Sequence, residues 1–255
     1  MYDIHCHVLS DVDDGAEDIE DSLEICRACA KEGVRAIIAT PHFIEGVSDI
    51  EESKVLSQIF LLSQELKSED IEICVLPGME VYICPNLLQL YEEGKIIPLN
   101  NKNYMLIELP MHDVLPPYLD EILFNLQIKG IRPIIAHPER YSAVIKHPKL
   151  VCKLINNGCI IQVNAGSIDG LYGRVVRKSA YTLLNHNMVH VIASDIHSSY
   201  RKMSSLKECY KAICNKFGKS KADDLFITNP QLIMNGQGLN VEEPLKIKKG
   251  FWIFK

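Results

Sequence analysis

Seven short apolar runs alternating with amphipathic segments predict an α/β fold built on a parallel sheet. Two features of the runs carry that expectation. Each is a continuous stretch rich in Ile and Val, as in strands buried on both faces. Six of the seven end at an imidazole or a carboxylate, so one end of the sheet gathers the chemistry. Seven such strands favour a closed or nearly closed barrel over an open sheet, a choice that periodicity does not settle. The 255 residues suit one α/β barrel. No repeat, linker or low-complexity tract divides them, so a single domain over 1–255 is expected.

The elements follow in order. "YDIHCHV" (2–8) reads as the first strand. Segment 18–32 has helical periodicity, with Ile19, Leu23, Ile25 or Cys26, and Ala30 recurring every three to four residues. "VRAIIAT" (34–40) is the second strand and 49–68 the next helix. "IEICVLPG" (71–78) and "YMLIEL" (104–109) are strands, followed by a helix over 117–129. "IRPIIAH" (131–137) precedes a helix over 142–157. "CIIQVNA" (159–165) precedes one over 174–186. "HVIAS" (190–194) is the last strand, and helices are predicted over 203–217 and 219–226. The segment 243–255 is basic and aromatic; it is expected to pack back on the barrel rather than to contact a partner or a membrane surface.

Composition excludes several classes. The net charge of −6 is wrong for a general nucleic-acid binder, which needs basic clusters. No apolar run approaches the roughly 18 residues of a membrane span, and no signal peptide is visible. Nine cysteines without regular spacing fit a reduced, cytoplasmic chain. Cys26 and Cys29 form a C-x-x-C, and Cys29 with Arg35 fits C-x5-R, the skeleton of cysteine-dependent phosphatases. A reactive thiolate, however, needs a helix N-terminus. Cys29 falls near a predicted helix C-terminus, where the dipole has the opposite sign. These cysteines are expected to pack.

The polar residues at the strand ends are His5 and His7, His42, Glu80, Glu108, His137, and Asp195 with His197. His5 and His7 are two apart, as are Asp195 and His197, so each pair projects to one side of its strand. Asp14, in the loop after the first strand, joins them. Converging carboxylates repel unless cations intervene, and this donor set suits Zn, Mn or Fe. A multinuclear metal site is therefore expected. His112, His147, His186 and His190 read as ordinary polar residues. Asp11 and Asp13 are expected to serve turns or surface hydrogen bonds. Cys6 is expected to face the helical layer.

The motifs "DIHCH", "VDDG", "TPH", "PGMEV", "IELP", "HPERY", "VNAGSIDG", "ASDIH" and "NPQLIMNG" occur in an order that resembles the PHP (polymerase and histidinol phosphatase) superfamily. More closely, the chain resembles its bacterial manganese-dependent protein-tyrosine phosphatases of capsule and exopolysaccharide synthesis. The resemblance spans about residues 2 to 236. It implies a distorted, TIM-like (β/α)7 barrel holding three divalent metal ions, manganese by resemblance, with iron or zinc as the other candidates. By resemblance, His5, His7, Glu80 and Asp195 would hold one ion. Glu80 would bridge to a second, held also by Glu108 and His137, and His42, His197 and Asp14 would hold the third. Arg140 and Arg201 match the family's phosphate-binding arginines; the alternative for Arg140 is a surface ion pair with Glu139. One departure is visible: Ser10-Asp11 stands where the family usually has Pro-Gly, which alters the loop carrying Asp14.

The implied reaction is hydrolysis of phosphotyrosine by a metal-activated hydroxide, with no cysteinyl-phosphate intermediate. The implied partner is the phosphorylated, tyrosine-rich tail of a membrane-associated tyrosine autokinase. The alternative is another PHP phosphoesterase, such as a histidinol-phosphate or other small-molecule phosphatase.

Overall fold

The computed structural model describes residues 1–200 and 203–247. Strands β1 (Tyr2–Cys6), β2 (Ala36–Ala39) and β4 (Cys74–Pro77) form one parallel sheet, in that order. A second sheet runs β3 (His42–Phe43), β5 (Glu80–Tyr82), β6 (Tyr104–Glu108), β7 (Arg132–Ile135), β8 (Ile160–Asn164) and β9 (Val191–Ala193). The two sheets are one wall. The register of β2 on β4, ending at Ala39 opposite Pro77, runs on unchanged to His42 opposite Glu80 in β3 and β5. The wall closes between β9 and β1, where Asp195 N donates to His5 O and His7 N to Ile196 O, both at 2.8 Å. The result is a distorted seven-position barrel. Its weak seam lies between β4 and β6, which share no ladder among the described residues. The 3-10 turn Leu99–Asn101 packs against both.

Alternation along the strands separates two cores. Ile4, Ile38, Leu106, Ile134, Ile160 and Val191 fill the barrel. Their neighbours Cys6, Ile37, Ile107, Ile135, Ile161 and Ile192 face the helices. Each such side chain, fully buried, stabilises the fold by roughly 1.5–3 kcal/mol. Helix α11 (Asn229–Met234) closes the barrel floor with Ile233 and Met234. Helices α1 (Ile19–Lys31), α2 (Glu52–Ser68), α4 (Leu119–Ile128) and α9 (Leu206–Phe217) lie within the segments the periodicity predicts, and α8 (Gly173–Asn185) starts one residue before its segment.

Several differences are local. The helix expected over 142–157 is two, α5 (Ser142–Lys146) and α6 (Lys149–Asn156), because Pro148 lacks the N–H that would continue the ladder. The helix expected over 219–226 is α10 (Lys219–Asp223) followed by a π turn, Asp224–Thr228. The short helices α3 (Leu87–Glu92) and α7 (Ala165–Asp169) span too few turns to show a period.

No described helix is long and apolar enough to cross a membrane. Of the segment 243–255, the described part runs back along the protein. Leu245 N donates to His186 O at 2.9 Å and Ile247 is buried. Its remaining residues and Arg201 lie outside the described residues.

Candidate metal centre

The site begins with an irregularity in β1. Tyr2 pairs with Ala36 and Asp3 with Ile37, but Cys6 pairs with Ala39, so β1 carries one extra residue. Ile4 faces the barrel interior and Cys6 the helical layer. Strict alternation from Ile4 would send His5 outward; the bulge turns it in, on the same side as His7. Asp3 Oδ1 fastens this segment, accepting from His5 N at 3.3 Å and from Ser194 N at 3.1 Å.

The other strands deliver their groups to the same rim. Glu80 is fully buried at the centre of four imidazoles. Its Oε2 lies 3.2 Å from His5 Nε2, 3.4 Å from His7 Nε2 and 3.1 Å from His42 Nδ1. Its Oε1 lies 3.0 Å from His137 Nε2, which is 3.8 Å from Glu108 Oε1. Asp195 Oδ1 stands 3.2 Å from His5 Nε2 and 3.5 Å from His7 Nε2. Asp14 Oδ1 is 3.7 Å from both His42 Nε2 and His197 Nε2. Two ligand candidates sit at left-handed backbone: His137 at φ 32° and Asp195 at φ 56°. Alternation from Ile135 would turn His137 toward the helices, and the left-handed kink brings it back. Such strain is typical of functional positions. Asp11 also adopts φ 60°, so it supplies the turn that glycine would in the resembled family, and Asp14 still reaches the rim.

These atoms form three overlapping groups able to hold a cation: His5, His7, Glu80 and Asp195; His7, Asp14, His42 and His197; and His42, Glu80 and Glu108. Within each group the candidate donor atoms lie within 4.8 Å of one another. The donor chemistry fits metal. The Nδ1 atoms of His5 and His7 are engaged by Gln162 Oε1 (3.0 Å) and Asp13 Oδ2 (2.6 Å). That leaves the two Nε2 atoms facing each other at 3.2 Å. Glu80 Oε2 and Asp195 Oδ1 are buried without a hydrogen-bond partner. Facing lone pairs beside unsatisfied carboxylate oxygens require a cation between them, either a proton or a metal.

The electrostatics show the proton's share. Burial acts to lower His5, but Glu80 and Asp195 outweigh it and hold the imidazole at about 9. Burial likewise opposes charge on His7, and Asp13, Asp195 and Glu80 push its pKa well up. Burial would raise Glu80, yet His5, His137 and His42 keep it well below the usual carboxylate range. Glu108 is raised, by burial and then by Glu80. His197 is lowered to about 4 by burial and by His7. Without metal, therefore, the site holds imidazolium against carboxylate, and loading must displace protons from His5 and His7.

Asp13 is a correction. The turn is only part of its role: Oδ1 accepts from Gly15 N at 3.0 Å, while the side chain is buried and Oδ2 accepts from His7 Nδ1 and, at 2.9 Å, from His42 N. It therefore orients one imidazole and the backbone of another, as carboxylates behind metal-bound histidines do. Its approach depends on Gly15, where a Cβ would stand 2.3 Å from His7 O. Asp13→Asn places an amide N–H against these donors. We expect metal affinity to fall about 10–100-fold, read by metal retention against graded chelator; unchanged retention would remove Asp13 from the site.

Sequence reasoning also missed Gln162, Asn164 and Glu139. Gln162 Nε2 donates to Asn164 Oδ1, and Asn164 Nδ2 donates to Asp195 Oδ2. A chain of amides thus joins His5 to Asp195 across β8. The only signal was their place at the end of the one apolar run without an imidazole or carboxylate. Glu139 is not an exposed partner of Arg140. It is buried, accepting from Asn164 N at 3.0 Å and Ser167 Oγ at 2.6 Å. Arg140 instead donates from Nη1 to Asp195 Oδ2 at 3.1 Å. Its guanidinium borders a cleft of about 400 Å3, lined also by Asp14, His197, Tyr172 and Met203.

His112 and His147 are exposed, His186 bonds Thr182 O, and His190 accepts from Ile161 N inside the core, all apart from the rim groups. Cys29 packs beside Cys26 in α1, with its thiol pushed well up by burial.

Fold and site together define a TIM-like barrel of the metalloenzyme kind. The chain belongs to the CpsB/CapC family of capsular polysaccharide synthesis, whose model matches residues 1–235. It is 35% identical to the tyrosine-protein phosphatase YwqE of Bacillus subtilis over 249 residues, covering 98% of this chain and 97% of that one. It is 33% identical to the tyrosine-protein phosphatase CpsB of Streptococcus pneumoniae, covering 93% and 99%. A solved structure, described with YwqE from Bacillus subtilis and CpsB from Streptococcus pneumoniae as unique metal-dependent tyrosine phosphatases, superposes with a TM-score of 0.93. It matches at 35% identity over 98% of this chain and 100% of its own.

Proposed function

We propose that this chain is a metal-dependent protein-tyrosine phosphatase. The reading rests on the three overlapping imidazole–carboxylate groups of the rim, which share His7, His42 and Glu80 and border the Arg140 cleft. By the family resemblance three divalent ions are expected: one held by His5, His7, Glu80 and Asp195, one by Glu80, Glu108 and His137, one by His42, His197 and Asp14; around the second, the geometric group is His42, Glu80 and Glu108, with His137 Nε2 3.0 Å from Glu80 Oε1. Manganese is the expected metal, with iron or zinc suited to the same donors. Such ions supply Lewis acidity, acidifying water and neutralising phosphoryl charge.

The chain's own residues do the rest. Asp13 and Gln162 fix the tautomers of His7 and His5, so that both Nε2 atoms stay available. Arg140 presents a planar fork to phosphoryl oxygens. Asp195 holds that fork in place and keeps it beside the rim. A tyrosyl leaving group departs as a phenolate, with an ordinary pKa near 10, and needs less protonation than an alkoxide. By the family resemblance the substrate is expected to be the phosphorylated tail of a tyrosine autokinase, a disordered segment that would reach an open rim without unfolding a domain.

Turnover of phosphotyrosine peptide is the test. Chelation should abolish it and re-addition of a single divalent metal should restore it. Cys29→Ser should leave it nearly intact. Activity that survives chelation, or that vanishes in a folded Cys29→Ser variant, overturns the reading.

A further inference from the structure

Arg140 is held in a way the reaction scheme does not yet use. Its guanidinium carbon lies over the ring of Tyr172, 4.6 Å from the centroid. Tyr172 sits in the corner between α7 and α8, just after Leu171, whose N–H donates to Gly166 O at 2.8 Å. The ring is braced from behind by α7. A Cβ on Gly166 would stand 3.0 Å from Tyr172 Cε2 and 3.3 Å from Leu171 Cδ2, so the brace is this close only because residue 166 has no side chain. The same α7 is tied to the backbone next to Arg140, through the Glu139 carboxylate on Asn164 N and Ser167 Oγ. Arg140 is therefore gripped twice by one corner of the fold, at its root through Glu139 and at its tip through Tyr172.

The grip leaves the fork usable. A guanidinium has five N–H donors, and among the described residues it makes one hydrogen bond, from Nη1 to Asp195 Oδ2. The contact with Tyr172 sets the guanidinium carbon over the ring and takes none of these N–H groups. Without the ring, a long flexible side chain would sample many rotamers, and an oxyanion would have to order it on binding.

Resting on the reading that Arg140 binds the phosphoryl group, we propose that Tyr172 is a positioning residue, whose ring holds the Arg140 guanidinium edge-on to the cleft for a phosphoryl oxyanion. The ring performs this task by facing Arg140, while the hydroxyl meets the Asn164 side chain.

The experiment measures affinity for inorganic phosphate by calorimetry on metal-loaded protein, with metal content and peptide turnover alongside. Tyr172→Leu should weaken phosphate about tenfold at unchanged metal content. Tyr172→Phe should stay within about twofold of the unaltered protein. In an Arg140→Ala background, Tyr172→Leu should have no further effect, because the two residues act as one unit. Undiminished affinity in a folded Tyr172→Leu protein, or an equal loss with and without Arg140, overturns the proposal. The two readings fail separately. Phosphate coupling without peptide turnover sinks the phosphatase and leaves Tyr172 in its role. Turnover without coupling sinks only Tyr172.

Discussion

Glu80→Gln should remove metal from the protein and lower phosphotyrosine turnover by about a thousandfold or more. The glutamine has nearly the same size, so the loss is one of charge. Glu80 meets four imidazoles, from His5, His7, His42 and His137. An amide carries no charge to offset a cation, and its N–H2 would face nitrogens that must themselves donate electron pairs. Metal ions supply several kcal/mol of charge stabilisation in such reactions, and about 4 kcal/mol corresponds to a thousandfold in rate.

The same variant should also change the pH dependence of folding in metal-stripped protein. Glu80 helps hold His5 at about 9, above its ordinary 6.5, and is itself depressed. A raised histidine contributes stability that is fully present below about 6.5 and lost as pH rises through about 9. A depressed carboxylate contributes above about 4.3 and loses its share as pH falls. The pair should therefore stabilise the metal-free fold most between about pH 4.3 and 6.5. Breaking a buried pair on one side costs about 3–5 kcal/mol. Urea unfolding of the stripped proteins should show a gap of that order near pH 6, narrowing toward pH 9. A gap that does not narrow, or a variant that keeps its metal, would remove Glu80 from the hub.

Arg140→Ala should lower kcat/KM on phosphotyrosine peptide about 10^2–10^3-fold at unchanged metal content, the usual loss when one preorganised donor to a developing oxyanion is removed. Arg140→Lys should recover only a small part, because an ammonium is a point charge and cannot fork. The side chain is 27% exposed, enough to open on the cleft. It binds Asp195 through one nitrogen only. Loss of metal from Arg140→Ala would mean that the arginine serves Asp195, not substrate; unchanged kcat/KM would exclude it from the reaction.

How much of this was legible in the chain varies with the range of the interaction. The strand positions were readable because burial on both faces leaves continuous apolar runs, and the match from "VRAIIAT" to Ala36–Ala39 or from "YMLIEL" to Tyr104–Glu108 follows from that. Asp14 was read as a rim candidate and Asp13 only as a turn or surface residue, so the larger part of what Asp13 does was missed. Side by side in one loop, they have indistinguishable chemistry in the sequence. Only the fold sends Asp13 behind His7 and Asp14 out to His42 and His197. The spacing of His5 and His7 gave the right side for the wrong reason, since alternation from Ile4 would have turned them away without the bulge. Glu139 was read only as a surface partner of Arg140, and Gln162 and Asn164 gave no signal, because what each does depends on a partner 25 to 157 residues away.

By itself the sequence determined that this protein is a parallel α/β structure whose imidazoles and carboxylates share one rim. Apolar periodicity is a local property, and strands wound in one direction carry their C-terminal ends to the same side. The tertiary structure alone decided which of those groups meet and what stands behind them. The bulge in β1, the left-handed turns at His137 and Asp195, the Asp13 support and the Tyr172 brace on Arg140 each arise where backbone and side chains from distant segments must satisfy one another in a dry interior. That requirement exists only once the barrel has closed.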